Sequence, residues 1–310
     1  MGDDPTTAVL AYNYGNLIVF DDPETAEPAL LRAKEFADRG EGGIPVAALE
    51  TMLAYAKFVL SDKRRGDRRD FLSALEAVEQ LNAPPTIEQS RAWLTLASGY
   101  FISKRYKNAA SAADRAMEFL EATMPESKDL RAEILIMRAI AKVVPHGRSA
   151  QDANEAHIDI MEAQKLFPPQ PSMYDYSQIV MDVAAWDAAI HSLAGTRGWT
   201  LDPASDPDIP DLFESWADRP ADCGGRWSDR LEPRFPDEAA RKSQIGAVLI
   251  AMSVDDQGVT DAKVLSEVPP GAFGEAALAV VKQWRWEEPP SPARSCRTDV
   301  LTQFSFQMKR

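Results

Sequence analysis

Two strand-like runs and one alternating run near the C-terminus restrict the fold more than anything else in this chain. Gly246-Ala247-Val248-Leu249-Ile250-Ala251-Met252-Ser253-Val254 is the first run. Asp255-Asp256-Gln257-Gly258 closes it as a turn, because Asp tolerates turn geometry and Gly supplies positive φ. A second run, Val259 to Val268, ends at Pro269-Pro270-Gly271. Phe273, Ala277, Val280, Val281 and Trp284 then recur at helical spacing. Trp284-Arg285-Trp286 ends that helix, and Pro289-Pro290 stop any continuation. From Val300 to Met308 the chain alternates. Val300, Thr302, Phe304, Phe306 and Met308 face one way, while Asp299, Gln303, Ser305 and Gln307 face the other. Alternation with period two predicts a sheet with one buried face.

Several short motifs in this stretch fall in a recognisable order. They are Phe235-Pro236, Ile245-Gly246, Asp255 to Gly258, Pro270-Gly271, Glu275-Ala276-Ala277-Leu278 and Trp284-Arg285-Trp286. Together they resemble the C-terminal domain of the TonB family. The resemblance covers residues 235–306, about a quarter of the chain. It implies a small ββαβ domain over 235–310, residence in the periplasm, and contact with outer-membrane transporters in energy-dependent transport. It also implies β-augmentation, in which an extended partner segment pairs with the sheet edge. The edge expected to be exposed is the last strand: Asp299, Val300, Leu301, Thr302, Gln303, Phe304 and Ser305. Phe235, Pro236, Trp284 and Trp286 are expected to be structural, the two Trp residues fixing helix to sheet.

Composition bounds the partners. The 310 residues carry a net charge of −14. The acidity is local: residues 1–216 hold 21 basic and 34 acidic residues, whereas 217–310 hold 13 and 14. A nucleic-acid partner needs a basic face to neutralise phosphates, so none is expected. Adhesion to anionic lipid is disfavoured for the same reason. No run of about 18 apolar residues occurs, so no transmembrane helix is expected. The N-terminus lacks a basic region followed by an apolar core, so no signal peptide is visible. An ordinary TonB protein has an N-terminal anchor and a Pro-rich spacer. Neither is visible, which leaves an anchor lost from this sequence or a soluble relative.

Cys223 and Cys296 are the two cysteines. Neither lies in an apolar run. They read either as one disulfide in an oxidising compartment or as two unrelated thiols. A bond would close a long loop and stabilise by about 4 kcal/mol on the chain-entropy argument.

Residues 1–194 read as an all-α domain. Asp22-Pro23 is a helix start. Val46, Leu49, Leu53, Ala56 and Leu60 follow at helical spacing. The charged segment Asp62 to Asp70 is expected as a solvated turn. Phe71, Leu72, Leu75 and Val78 belong to the next helix, and Thr86-Ile87-Glu88-Gln89 is a capping box. Trp93, Leu96, Ala97, Tyr100, Ala109, Ala113 and Ala116 fall at the spacings of a tetratricopeptide repeat, whose small residues let two antiparallel helices approach closely. Leu130 to Val144 and Ala150 to Leu166 make a second pair. Tyr174 to Leu193 is expected to close the array with Ile179, Val180, Val183, Trp186 and Ile190 on its apolar face. Such an array offers a concave surface to a protein partner; the alternative is an irregular bundle that binds nothing in its groove. Pro and Asp residues mark 195–234 as a linker.

No constellation supports catalysis. There is no Gly-x-Ser-x-Gly and no phosphate loop. His146, His157 and His191 are the only histidines, with no His-x-x-x-His pair for a metal. His157, with Glu155, Asp159 and Glu162 nearby, reads as part of an exposed charged helix face. Asp202, Asp206, Asp208 and Asp211 lack the Gly and Glu of a calcium loop. The chain is therefore expected to be no enzyme, with no cofactor and no metal. Two functions remain: a TonB-type interaction module, or a soluble envelope scaffold that holds a protein through its helical array, its C-terminal domain serving for docking or as a homodimer contact.

Overall fold

The computed structural model describes residues 4–61, 65–144, 149–167, 178–201, 226–242, 244–255, 258–287 and 300–306. The chain divides into two compact units, Met1–Ala141 and Lys142–Arg310.

The first unit is helical: α1 (Pro5–Ile18), α2 (Pro23–Ala37), α3 (Val46–Leu60), α4 (Arg65–Glu79), α5 (Ile87–Ile102), α6 (Tyr106–Thr123) and α7 (Lys128–Val143), whose last two residues fall past the division. Local chemistry sets the starts. Asp4 Oδ1 accepts from Thr6 N at 3.1 Å, and Asp22 Oδ1 accepts from Thr25 N at 3.1 Å, each just before a Pro at the first helical position. The Gln89 side chain reaches back to Thr86 N at 2.9 Å. Helix α4 begins at Arg65, inside the charged segment expected as a turn.

The helices stack as successive pairs: α1 on α2, α3 on α4, α5 on α6, with α2 on α3 and α4 on α5. In the α5–α6 pair, Leu96, Ala97, Ala109, Ala113 and Ala116 are fully buried, as repeat spacing requires. Ser90 Oγ donates to the Ala116 carbonyl at 2.7 Å, a contact only closely packed helices can make. The region is a helical array consistent with a repeat domain.

The second unit contains α8 (Ala150–Lys165), α9 (Gln178–Arg197), β1 (Arg226–Asp229), α10 (Asp237–Arg241), β2 (Gly246–Asp255), β3 (Gly258–Val268), α11 (Gly274–Val281), β4 (Arg285–Glu287) and β5 (Val300–Phe306). Strands β3, β2 and β5 form an antiparallel sheet in that order. The ββαβ order expected from the sequence is present. Two short strands were not expected: β1 lies in the segment read as linker, and it pairs antiparallel with β4.

The β2–β3 turn rests on Gly258, at φ 137°, whose N–H donates to Asp255 Oδ1 at 3.1 Å. A side chain there is excluded twice over. The backbone is in glycine territory, and a Cβ would stand 2.5 Å from the Trp284 carbonyl.

Candidate functional site

The central strand β2 is buried from Gly246 to Met252 without alternation. Such a run needs cover on both faces. On one face Val248, Ile250, Met252 and Val254 join Phe273, Ala277, Val281 and Trp284, so α11 is the cover. The other face carries Ala247, Leu249 and Ala251, and α9 packs on β2, β3 and β5. Helix α9, expected to close the helical array, packs on α8 and also covers this face of the sheet. Its buried residues include Val180, Val183, Ala185, Trp186, Ala189 and Leu193, which surround the helix rather than forming one stripe. A helix apolar all round is a buried helix.

Polar contacts fix this layer. Ser266 is paired with Leu249 and therefore shares its face, and its Oγ donates to Asp182 Oδ1 at 2.7 Å. The register of β3 shifts between Ser266 and Val264, leaving Leu265 as an extra residue in the ladder. Its carbonyl accepts from Gln178 Nε2 at 3.2 Å.

The opposite face has its own lock. Glu267 pairs with Val248, so it points to the α11 side. Its carboxylate accepts from Gly274 N at 2.8 Å and from Phe273 N, at the start of α11, where a negative charge complements the exposed amides.

The residues expected at the edge are placed as follows. Strand β5 pairs with β2 along one side, Gly246↔Phe306 through Met252↔Val300. Among the described residues no strand pairs with its other side. Thr302, Phe304 and Phe306 are buried, Gln303 is half-buried and Ser305 is exposed, so the alternation read from the sequence holds over 302–306. Phe306 stacks on Phe273 at 4.5 Å, and Phe304 meets Trp284 edge-on at 5.5 Å. Gln303 and Ser305 lie on the α9 side, opposite Leu249 and Ala247. Asp299 is outside the described residues, as are the side chains of Val300 and Leu301.

Trp284 is fully buried, and its Nε1 donates to the Leu231 carbonyl at 2.9 Å. Trp286 belongs to β4, with its side chain outside the described residues. Phe235 meets Phe273 and Phe306 edge-on at 5.7 and 6.0 Å, and Pro236 caps α10. Cys223 and Cys296 both lie outside the described residues, as do the four Asp residues from Asp202 to Asp211.

His157 and Asp159 depart from expectation. Both are buried, not on an exposed face. Asp159 Oδ2 is 3.2 Å from Lys142 Nζ, which neutralises it. His157 is grouped with Asp187 and His191 of α9. Sequence reading missed that grouping because it looked for His-x-x-x-His, whereas the helical pair here is Asp187-x-x-x-His191.

In the first unit, α2, α3 and α4 bound an apolar groove of about 540 Å³. Leu31, Val46 and Leu81 line it and are exposed. Lys34 sits at its rim between Asp38, 3.2 Å away, and Glu50, and the bond to Glu50 raises the lysine above its ordinary range.

Residues 232–308 match the family described as Gram-negative bacterial TonB protein C-terminal. This segment is a TonB C-terminal domain by family match, which implies a protein-interaction role in the bacterial envelope. The chain matches no curated protein. Among the described residues no helix is long and apolar enough to cross a membrane.

Proposed function

We propose that the outer edge of β5 accepts an extended segment of an outer-membrane transporter, in the periplasm, by strand addition. One observation carries the reading: β5 pairs with β2 on one side and with no described strand on the other. Its backbone N–H and C=O groups on that side are a template for an added strand. Aromatic contacts from Phe304 and Phe306 to Trp284 and Phe273 hold the edge rigid, so little ordering is needed on binding. Affinity comes from main-chain hydrogen bonds, while the side chains flanking the edge, Gln303 and Ser305 among them, set selectivity. Coupling to an energy source is part of this proposal only through the family's role.

The test uses a transporter-derived peptide titrated into the full chain. In an added strand, alternate residues point their N–H groups at the edge. N-methylation of one alternate set of peptide residues should abolish binding, and methylation of the other set should leave it within a few-fold. Equal responses to both sets would show that side chains, not the edge, carry the affinity. Gln303→Ala and Ser305→Ala should change affinity only modestly.

A second reading, that the chain is a scaffold holding a protein through its helical array, is favoured by the exposed apolar groove of α2, α3 and α4. On that reading Leu31→Asp and Leu81→Asp, in the full chain, release the envelope protein it retains and leave the peptide titration unchanged.

A further inference from the structure

Helices α8 and α9 bring together three side chains that the sheet edge does not use. Asp187 and His191 are one helical turn apart on α9, an i,i+4 pair on one face. His157 meets them from α8. His157 Nδ1 lies 3.3 Å from Asp187 Oδ1, and His191 Nδ1 lies 3.2 Å from the same oxygen. The two imidazole rings meet edge to face with centroids 4.8 Å apart. One ligand atom from each residue lies within 4.8 Å of the other two.

The second observation is a pair of buried atoms that lack an aligned hydrogen bond. His157 is only 5% exposed, and its buried Nδ1 makes no aligned hydrogen bond; neither does the buried Asp187 Oδ1. They face each other at 3.3 Å, but buried polar atoms without an aligned hydrogen bond are rare in native proteins and call for a reason. The equally buried Asp159, by contrast, has Lys142 as its counter-ion.

We propose that His157, Asp187 and His191 bind a divalent transition-metal ion of the zinc class. A tetrahedral zinc with bonds of about 2.0–2.1 Å holds its ligand atoms about 3.3–3.4 Å apart. Two of the three edges already have that length. The third closes by rotation of His191, whose side chain is 53% exposed. Two imidazoles and one carboxylate suit zinc, nickel or iron(II) rather than calcium or magnesium, which take oxygen ligands. The exposed side of His191 leaves a fourth position for water. The ion would staple α8 to α9, the helix that covers the sheet.

Zinc titrated calorimetrically into chelator-stripped full chain should bind with one equivalent and raise the unfolding temperature, as any ligand specific for the folded state must. His191→Ala, at a half-exposed position, should fold normally and lose about tenfold or more in affinity. Asp187→Asn should weaken binding similarly, and His191→Cys, which offers a thiolate, should restore it. Absence of both heat and stabilisation in the unaltered protein overturns the proposal. So does zinc affinity that is the same in His191→Ala and Asp187→Asn as in the unaltered protein.

Discussion

The Ser266 hydroxyl donates to Asp182 Oδ1 at 2.7 Å, joining β3 to α9 across 84 positions of sequence. Ser266 is buried, and Asp182 is half-buried and also accepts from Gln178 Nε2 at 2.8 Å. A hydrogen bond to a charged acceptor contributes about 1.5–3 kcal/mol. Ser266→Ala should therefore lower stability by about 1–2 kcal/mol by urea denaturation. Asp182→Ala should cost a similar amount, and the double variant little more than either. Additive losses would mean the two residues act separately.

Gly246 opens β2 where no side chain fits. A Cβ there would stand 2.0 Å from the Val268 carbonyl and 2.6 Å from the Phe273 ring. Gly246→Ala must push the Phe273–Phe306 stack or the β2–β3 ladder apart. Overpacking of this kind costs about 1–3 kcal/mol. The loss should appear as a lower unfolding midpoint and, if strand addition operates, weaker peptide binding, since Phe306 ends the edge strand.

Glu79 ties three helices of the array. Its Oε1 accepts from Trp93 Nε1 at 3.1 Å, and its Oε2 from Arg115 Nη2 at 2.6 Å. The Arg115 side is partly exposed and so is screened by solvent. The Trp93 side is buried, and leaving its N–H unpaired costs about 1–3 kcal/mol. Glu79→Gln, which keeps an acceptor, should lose less than 1 kcal/mol, and Glu79→Leu about 1–3. Equal losses would place the energy in the ion pair.

Tyr12 gives the array an alkaline limit. Burial, and then the nearby Glu88 carboxylate, push its phenol up to about 12. The unfolded chain loses this proton near pH 10, while the folded chain keeps it to about 12. The folded state thus holds more protons in that window, and stability falls as pH rises through it. Denaturation between pH 9 and 11 should show a decline that is shallower in Tyr12→Phe. An unchanged slope in that variant would remove Tyr12 from the account.

The sheet was legible because its signals are local. The alternation at 302–306, the Asp255–Gly258 turn and the helix that follows Gly271 each depend on neighbours within a few residues, although that helix ends at Val281 and not at Trp284. So did the α5–α6 pair, where the spacing of Trp93, Tyr100 and the alanines encodes one close helix contact. The contact of α9 with the sheet was not read, because helical periodicity reports that a face is apolar and not what covers it. The signals were nonetheless present. Residues 247–252 are apolar on both faces of a strand, and 179–190 are apolar nearly all round a helix; each lacked a partner until paired with the other. His157 was misplaced for a related reason: a polar residue among charges reads as exposed, and only the tertiary approach of α9 buries it. The Leu265 bulge and the β1–β4 pair rest on long-range register, which short windows do not carry.

Leu249 has a consequence for anyone who transplants this domain. A fragment cut at the limits of the family match, 232–308, leaves α9 behind. Ala247, Leu249 and Ala251 would then lie bare beside a strand edge that is itself open, and such a fragment should self-associate rather than stay monomeric. The portable piece begins before Gln178: the helix is the cover that must travel with the sheet.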